Sequence, residues 1–299
     1  DWFQGTADAV YQNINLIQLH DPDLVVVLGA DHIYRMDIQQ MVDFHHERAA
    51  DVTVAALPVP IADASAFGVI AADHAGRVSE FQEKPANPAP MPSDPTRAYA
   101  SMGNYLFDAK VLVRALKEAN QRGEHDFGHN VLPKLKETHR LFAYDFATNK
   151  VPGTKPYEEQ AYWRDVGTLD AYFEAHQDLL GLNPRFDMFN PQWRIFSSNY
   201  QGPVARILDA QVHNSVVAAG SIVRQASLRN SLIRREVIIE DDVELEDCVI
   251  QDYVWIKRGS RLRRVIVGQY NVIEAGSRIG YDLEADRGRC TVTAGGITV

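Results

Sequence analysis

The chain has 299 residues, of which 45% are hydrophobic and 23% charged, so it can bury a large core, and global disorder is not expected. Its net charge of −10 argues against nucleic acid or an anionic membrane as the main partner. No uncharged apolar run is long enough to span a membrane. The two cysteines, Cys248 and Cys290, form neither a metal-binding spacing nor a disulfide framework, which favours a reducing, cytoplasmic location.

The chain begins at Asp1 rather than at a methionine, in a segment that resembles the interior of a protein. We therefore expect a fragment or a processed chain. At this length two domains are a reasonable expectation.

The first 57 residues alternate between helical and strand patterns. Residues 6–18 and 38–49 have helical spacing, while the short aliphatic runs 24–28 and 52–57 are typical of strands covered on both faces. This alternation predicts an α/β domain of Rossmann type with a mainly parallel sheet, in which ligands bind beyond the carboxyl ends of the strands. Asp31 follows the first strand at that position, although a turn or capping role is an equally available interpretation.

The middle of the chain predicts a hairpin and further strands and helices. Residues 68–72 and 78–81 flank an Asp-His-Ala-Gly turn, which indicates a hairpin, and 86–98 form a Pro-rich loop. A strand at 101–107, a helix to about residue 120 and a strand at 141–146 follow.

The last helix of this domain is predicted to begin after Thr168, as its cap, and to end before Gly181. Residues 182–203 contain three prolines and little periodicity, so we interpret them as a linker. The predicted domains are therefore 1–181, an α/β domain, and 204–299.

The second domain has a six-residue aliphatic period. Val237, Val243 and Val249 are six residues apart, and Ile239 and Leu245 repeat the spacing two residues later. Ile266 and Val272 resume it after a slip. Such a period predicts a β-helix whose inward side chains stack from coil to coil, with an antiparallel hairpin array as the alternative.

Two acids are candidate ligands of a hard cation. Asp31 follows a predicted strand, and Asp165 lies in the segment that leads into the helix capped by Thr168. If both acids lie at the carboxyl edge of one sheet, their two carboxylates suffice for Mg²⁺, which keeps waters and bridges phosphates. His32 could be a further ligand, although a packing histidine is the commoner case. Arg164 is expected to pair with an acid.

Other polar groups are candidates for binding a sugar phosphate. Lys84 could hold a phosphate and Glu83 could accept hydrogen bonds from sugar hydroxyls, although a Glu-Lys pair is often only a solvated surface pair. Gly68 and Ser101 permit close approach and hydrogen bonding. The cluster 45–48 is expected to face solvent, and 261–264 to form the exterior of the β-helix or an anion site.

Seven motifs occur in a fixed order along the chain. They are Gly5-Thr6-Ala7-Asp8-Ala9, Leu28-Gly29-Ala30-Asp31-His32-Ile33-Tyr34, Ser65-Ala66-Phe67-Gly68-Val69, Glu83-Lys84-Pro85-Ala86-Asn87-Pro88, Ala100-Ser101-Met102-Gly103-Asn104-Tyr105, His125-Asp126-Phe127-Gly128 and Tyr162-Trp163-Arg164-Asp165-Val166-Gly167-Thr168. Over nearly the whole chain, this series of motifs resembles that of bacterial glucose-1-phosphate adenylyltransferases, whose C-terminal domain is a left-handed β-helix.

The resemblance implies a reaction and a set of site residues. ATP and α-D-glucose 1-phosphate would give ADP-glucose and diphosphate, for glycogen biosynthesis, by positioning and charge neutralisation. Asp31 and Asp165 would hold Mg²⁺, and these two acids with Lys84 would form the catalytic set. The remaining assignments are sugar-phosphate contacts at Phe3, Gly68, Glu83, Lys84, Ser101 and Tyr105, and nucleotide contacts at Gly5 and Thr6. A homotetramer with allosteric regulation would also follow.

Three departures from the family pattern affect these expectations. Phe3 stands where the family often has a tyrosine that contacts the sugar phosphate, and the lost hydroxyl is worth on the order of 1 kcal/mol. The N-terminal glycine-rich loop that cradles the triphosphate is not in this sequence, so we expect residues 1–299 alone to release little diphosphate from the two substrates. Gln269 replaces an effector-binding arginine of some relatives, so the effector is not assigned.

Three alternatives remain at this point. A uridylyl- or thymidylyltransferase would be distinguished by comparing ATP, UTP and dTTP. A catalytically silent regulatory subunit would tolerate Asp31→Asn. An acyltransferase is possible because hexapeptide β-helices often perform that chemistry, but the only histidine after residue 200 is His213, which precedes the clearest repeats.

Overall fold

The computed structural model describes residues 2–196 and 199–299. They form two compact units: unit 1 contains the residues up to Ala30 and Arg35–Val151, and unit 2 contains Asp31–Tyr34 and Pro152–Val299. Asp1, and Ser197 and Ser198 of the predicted linker, lie outside the described residues. The predicted domain boundaries at 181 and 204 stay a prediction, because compactness does not show which segment folds independently.

The helices are short, and strands β1 to β8 come from the first 165 residues. The helices are α1 Thr6–Tyr11, α2 Ile14–His20, α3 Ile38–Glu47, α4 Ala109–Gln121, α5 Leu132–Thr138, α6 Leu169–Gln177 and α7 Leu283–Arg287. The strands are β1 Leu24–Val27, β2 His32–Tyr34, β3 Val52–Pro60, β4 Gly68–Ala72, β5 Val78–Glu83, β6 Arg97–Asp108, β7 Leu141–Asp145 and β8 Trp163–Asp165. Within the described residues, no helix is long and apolar enough to cross a membrane.

The predicted helix over residues 6–18 is divided into α1 and α2. The Asn13 side chain donates to the carbonyl of Ala9 (2.9 Å), which is the kind of local bond with which asparagine competes against a continuous helix.

Unit 1 is built on a six-stranded mixed sheet in which β6 is the long central strand. Strands β1, β3 and β4 pair with β6 antiparallel, and β7 pairs with β3 parallel. Four strands therefore run in one direction and β5 and β6 run in the other, so that of the five strand pairs in this sheet one, β3 with β7, is parallel. Because β1 and β3 both pair with Phe107, they lie on opposite sides of β6 and do not form the direct parallel pair that the βαβ rhythm suggested. The predicted β4–β5 hairpin is confirmed.

The core of unit 1 lies where α4 covers this sheet. The buried residues of α4 include Leu112, Ala115, Leu116 and Ala119, at the spacing of one helical face. They pack with Phe107 in the same cluster. Each fully buried leucine contributes roughly 2 kcal/mol of transfer free energy.

The prediction that residues 45–48 face solvent is wrong for His45, whose side chain is 1% exposed. Its Nδ1 lies 2.8 Å from the Thr53 hydroxyl on β3, and its Nε2 lies 3.5 Å from Asp108. Burial lowers the pKa of His45, with Asp108 acting in the opposite direction. The imidazole is therefore a polar contact inside the protein.

Unit 2 contains a parallel β-helix made of short strands. They are β9 Arg206–Leu208, β10 Gln211–His213, β11 Val216–Val217, β12 Ile222–Arg224, β13 Ser227–Arg229, β14 Leu232–Ile233, β15 Ile238–Ile239, β16 Glu244–Ile250, β17 Trp255–Ile256, β18 Arg261–Val267, β19 Val272–Ile273 and β20 Arg278–Ile279. All pairs between these strands are parallel, which confirms the β-helix and excludes the hairpin array.

Inward side chains stack between coils, as the six-residue period predicts. Leu228, Leu245 and Leu262 occupy equivalent register positions in successive coils, and all three are buried. The predicted inward series is wrong at three positions: Val249 and Ile266 pack with Phe173 of α6 in a separate cluster, and Val272 is 49% exposed. Ile273 packs against the core in place of Val272. The cause is the slip of one residue in the repeat, which moves the inward position to the next residue.

Helix α6 belongs to unit 2 and packs on the β-helix. Thr168 caps it as predicted, since its Oγ1 accepts a hydrogen bond from the Ala171 amide (3.2 Å). Phe173 packs with Val249, Ile266 and Ile297 in a buried cluster. The segment that follows Asp165 is thereby held by the β-helix.

Candidate functional site

Asp31, His32 and Asp165 come together in unit 2. Each offers one ligand atom, and these atoms all lie within 4.8 Å of one another. The short strands β2 and β8 cause this arrangement, because they pair antiparallel with His32 opposite Asp165. A further backbone bond, from the Val166 amide to the Asp31 carbonyl (2.9 Å), extends the pairing to the second acid. The predicted convergence of the two aspartates is therefore observed.

The loop after Asp165 fixes the direction of its carboxylate. The Gly167 amide donates to Asp165 Oδ1 (2.8 Å). A Cβ on Gly167 would lie 3.0 Å from that same oxygen, so a larger residue would push the carboxylate aside. Asp165 and Asp31 remain solvent-exposed, which leaves their other oxygens available to a ligand.

His32 is the least exposed member of this cluster, with 13% of its side chain accessible. Its Nε2 lies 3.5 Å from Asp31 Oδ1, and its ring packs edge-on against Trp163 at 5.0 Å between centroids. Its Nδ1 is buried and has no hydrogen-bond partner. The geometry therefore allows both roles that the sequence suggested for His32: packing against Trp163 and binding a cation together with Asp31.

The donor set fits a divalent cation. Two carboxylates offer the oxygen ligands that Mg²⁺ prefers, and an imidazole would also suit a metal such as Mn²⁺. The donor chemistry does not by itself select between these ions. The three residues form what we call the cation cluster.

Arg164 anchors the strand that carries Asp165. Its Nη1 and Nη2 donate to Glu159 (3.0 and 2.7 Å), and its Nε donates to Asp178 (3.0 Å). Burial acts to lower the pKa of Arg164, but the adjacent carboxylates of Glu159 and Asp178 outweigh it and raise that pKa above its ordinary value. The guanidinium also lies over the Tyr162 ring, 4.3 Å from its centroid. The expected pairing of Arg164 with acids is confirmed.

A second group of predicted residues gathers in unit 1. A Cβ added to Gly68 would lie 3.1 Å from Glu83 Oε2, and one added to Gly128 would lie 3.5 Å from both Glu83 Oε2 and Asp126 Oδ1. The two glycines therefore border two carboxylates. We call Gly68, Glu83, Asp126 and Gly128 the carboxylate pocket.

Asp126 was not selected from the sequence as a site residue, although it lies in the His-Asp-Phe-Gly motif. The residues just after it, Phe127–Val131, form a π-helical turn, a rare conformation that is frequent at functional sites. Two signals in the sequence, the motif and its glycine, could have identified it.

Ser101 and Tyr105 belong to the same region of unit 1. Tyr105 is buried, and burial raises its pKa to about 12; its hydrogen bond with Ser101 acts in the opposite direction, while the charges of Asp126 and Glu83 raise it further. The Ser101 hydroxyl also accepts a hydrogen bond from the Gly103 amide (3.3 Å). The tyrosine hydroxyl is therefore neutral at physiological pH and can donate a hydrogen bond.

Lys84 is exposed and follows Glu83 in a strained backbone position. Its φ is +44°, in the left-handed region that non-glycine residues rarely adopt, and its amide donates to the Phe67 carbonyl (3.1 Å). Such strain is typical of sites where the surrounding structure fixes a functional side chain.

Gly5 and Thr6 contact the segment that carries Asp126. Thr6 Oγ1 donates to Asp126 Oδ2 (2.9 Å) and accepts from the Phe127 amide (3.1 Å). The backbone of His125 leaves no room for a side chain on Gly5. These contacts are structural, so the nucleotide role of both residues stays a prediction. Phe3 is 59% exposed and is likewise untested.

A cavity of about 540 Å³ lies beside the cation cluster within unit 2. Its lining includes Gly167, Thr168, Arg234, Gln251 and Gln269. Gln269 is the position at which the resemblance implied a departure from an effector-binding arginine. The Gln251 side chain donates to the Tyr172 hydroxyl, so α6 forms one wall.

Comparison with known proteins identifies the family. Residues 2–181 match the family model described as Nucleotidyl transferase, and residues 205–299 match the model described as GlmU-like, C-terminal hexapeptide. A glucose-1-phosphate adenylyltransferase of Thermodesulfovibrio yellowstonii is 52% identical over 300 residues, which cover 100% of this chain and 73% of that protein. The chain belongs to the glucose-1-phosphate adenylyltransferase family.

Other members of the family show comparable similarity. The protein of that name from Thermus thermophilus is 44% identical over 100% of this chain and 74% of its own length, and the one from Corynebacterium jeikeium is 42% identical over 99% and 74%. The chain is therefore similar to about three quarters of each relative. The two matched models confirm the predicted fold class, a nucleotidyltransferase domain followed by a hexapeptide β-helix.

Proposed function

We propose that this protein transfers the adenylyl group of ATP to α-D-glucose 1-phosphate, giving ADP-glucose and diphosphate. The carrying observation is that Asp31 and Asp165, far apart in the sequence, converge in a member of this family. In this reaction a phosphate oxygen of the sugar phosphate attacks the α-phosphorus of ATP, and the bond to the β-phosphate oxygen breaks. Positioning and charge neutralisation are the needs of such a transfer, since no covalent enzyme intermediate is required.

We assign the sugar phosphate to the residues of unit 1. Glu83 would accept hydrogen bonds from sugar hydroxyls and Lys84 would bind the phosphate as a point charge. Ser101 and Tyr105 would supply hydroxyl groups, and Gly68 would allow the sugar to approach the backbone. The bordering carboxylates and glycines of the carboxylate pocket support this assignment. Phe3 would contribute only an apolar contact, and Gly5 and Thr6 would lie near the nucleotide.

We assign the divalent cation, proposed to be Mg²⁺, to the Asp31 and Asp165 carboxylates. When bound, such a cation neutralises phosphate charge and orients the reacting groups. The Gly167 amide holds Asp165 Oδ1, so one carboxylate oxygen is fixed before any ligand arrives. The Arg164 ion pairs keep β8 in place for the same carboxylate.

Four further properties are proposed with the same function. A cytoplasmic role in glycogen biosynthesis suits an enzyme that uses ATP and a sugar phosphate. Self-association into a tetramer is supported by the first β-helix coil, where β9 and β10 are edge strands and Ile207, Leu208 and Val212 are exposed. Allosteric regulation is supported by the cavity that joins Gln269 to Gly167.

The test measures ADP-glucose and diphosphate formation by the complete gene product that carries this sequence. We expect turnover with ATP to exceed turnover with UTP or dTTP. Asp31→Asn and Asp165→Asn should each lower kcat by orders of magnitude, and Lys84→Gln should chiefly raise KM for glucose 1-phosphate. Asp242→Asn, in an exposed corner of the β-helix, is the matched control and should leave kcat unchanged. Equal turnover with UTP, or full activity of Asp165→Asn, would contradict the proposal.

A further inference from the structure

The last nine residues, 291–299, fold into a closed hairpin that we call the C-terminal clasp. Thr291 and Val299 exchange two backbone hydrogen bonds (3.0 and 2.8 Å), and the Thr293 amide donates to the Ile297 carbonyl (2.9 Å). The clasp is fixed to β18, because the Ile266 amide donates to the Thr298 carbonyl (2.9 Å) and the Thr298 amide donates to the Arg264 carbonyl (3.1 Å). The clasp is therefore hydrogen-bonded directly to the β-helix.

The clasp also contacts the first turn of α6. Thr293 Oγ1 donates to Asp170 Oδ1 at 2.5 Å. Gly295 lies so close that a Cβ on it would be 2.5 Å from the same oxygen. Ile297, which is 2% exposed, packs with Phe173 one turn further along the helix. Both ends of this contact belong to unit 2.

This contact lies close in sequence to a residue of the cation cluster. Asp170 is the second residue of α6, and the helix begins directly after Thr168. Thr168 caps the helix, and the preceding Gly167 amide holds the Asp165 carboxylate (2.8 Å). A displacement of the helix start would therefore move the group that orients Asp165.

We propose that the C-terminal clasp positions the Asp165 carboxylate for cation binding, with Thr293 as the positioning residue. The inference rests on the cation site of the proposed function. Its physical basis is preorganisation: a ligand that is held before binding loses less conformational entropy when the ion arrives. Thr293 touches neither substrate nor ion, so its effect should appear in cation affinity and in the mobility of the loop.

The clasp offers a matched pair of substitutions. Thr293→Val removes a hydroxyl that donates to Asp170 and accepts from the Ile297 amide (3.1 Å), and Thr293→Ser restores both bonds. Thr298→Val makes the same chemical change in the same hairpin, but the Thr298 hydroxyl is buried without a hydrogen-bond partner. Asp170→Ala removes the contact from the other side, and Asp165→Asn removes the cation ligand itself.

The primary measurement is Mn²⁺ binding to the whole protein, followed by the electron paramagnetic resonance signal of the free ion. We expect Thr293→Val to raise the Kd several-fold, where tenfold corresponds to about 1.4 kcal/mol. Thr293→Ser and Thr298→Val should keep the wild-type Kd. In the Asp170→Ala background, Thr293→Val should cause a much smaller further loss of affinity, because the contact with Asp170 is already absent and only the bond from the Ile297 amide within the clasp is still to be removed.

The second measurement is hydrogen exchange of residues 165–171 in protein freed of metal by a chelator. Thr293→Val should accelerate exchange of the Gly167 and Ala171 amides, whose acceptors lie in this loop. If Thr293→Val does not fold, Asp170→Ala replaces it, and its Mn²⁺ affinity and amide exchange are compared with those of Thr298→Val.

Two outcomes separate the possible failures. If Asp165→Asn abolishes Mn²⁺ binding while Thr293→Val behaves like Thr298→Val, the clasp has no positioning role and the cation site stands. If Asp165→Asn binds Mn²⁺ as tightly as wild type, the cation site and the inference built on it are both wrong.

Discussion

Replacing Arg164 by lysine should destabilise unit 2 and weaken its cation affinity. Lysine keeps the positive charge but cannot form the planar fork that donates to both Glu159 oxygens (3.0 and 2.7 Å) and to Asp178 (3.0 Å). One charge-assisted bond is retained and two are lost, each worth about 1.5–3 kcal/mol when well shielded. Because Arg164 is 25% exposed and Arg185 also contacts both acids, screening and compensation reduce the expected total to about 2 kcal/mol.

Tryptophan fluorescence during urea unfolding is a suitable assay for this loss. Three of the four tryptophans, Trp163, Trp193 and Trp255, belong to unit 2, so the signal reports mainly on that unit. The midpoint should fall with little change in the denaturant slope. Mn²⁺ affinity should fall as well, since Arg164 precedes Asp165 on β8.

The matched control is Arg140→Lys in unit 1. Arg140 forms an equivalent fork with Asp51 (3.3 and 2.9 Å), but it is 49% exposed and remote in sequence from the cation cluster. Its replacement should cost less stability and leave the Mn²⁺ affinity unchanged. The reasoning is refuted if Arg164→Lys unfolds at the wild-type urea concentration, or if both variants lose cation affinity equally.

Three further predictions concern titration and packing. Burial raises the pKa of Tyr105 from 10 to about 12, so the folded state keeps the phenolic proton at a pH where the unfolded chain has lost it. The free energy of unfolding should therefore fall by on the order of 2–3 kcal/mol as the pH rises from about 10 to 12. Tyr105→Phe should flatten this decline in a series of denaturation experiments at alkaline pH. Burial lowers the pKa of His45, so below about pH 6.5 the unfolded chain binds more protons than the folded protein. The free energy of unfolding should therefore decrease as the pH falls below about 6.5, and His45→Gln should reduce this pH dependence in an acid titration. Ile256→Ala should lower the free energy of unfolding in urea by about 2–5 kcal/mol, because Ile256 is fully buried. Val272→Ala, at a position that is 49% exposed, should lower it by less than about 1 kcal/mol. Equal losses would contradict the assignment of Ile256 to the β-helix core and of Val272 to the exterior.

The β-helix was predictable because its signal is local and repeated. Val237 and Val243 both pack in the core of the β-helix, so their six-residue spacing records the architecture, whereas Val249 packs in a separate cluster with Phe173. The exact coil length was not predictable, because the coils are one or two residues shorter than three full six-residue repeats: the paired residues Leu228 and Leu245 are 17 positions apart, and Val212 and Leu228 are 16 apart. This shortening explains why Ile273 rather than Val272 points toward the core.

The meeting of Asp31 and Asp165 was predictable only from the rule that ligands gather at strand ends and from the family motifs. The pairing that produces it was not, since β2 and β8 have three residues each and carry too little pattern to be recognised as partners. For the same reason, the assignment of residues 31–34 to unit 2 could not be inferred from their place in the sequence.

Long-range polar contacts were the least predictable feature. His45 lies in a polar stretch of α3, and only its approach to Thr53 on the next strand explains its burial. Asp126 was not predicted because its motif and the following glycine mark the position without assigning a role to the acid. Its significance depends on Gly68, Glu83 and Gly128 lying around it in the folded protein.

The pairing of β2 with β8 connects the fold of unit 2 to its proposed chemistry. Three backbone pairs make a marginal ladder, and its end brings together the Asp31 and Asp165 carboxylates, whose like charges repel. The edge-on contact of His32 with Trp163 and the Arg164 ion pairs offset part of that repulsion. A divalent cation would remove the rest, and a ligand that binds only the folded state adds its binding free energy to stability. The same charge arrangement that makes the ladder weak would therefore make it a selective binder of a divalent cation.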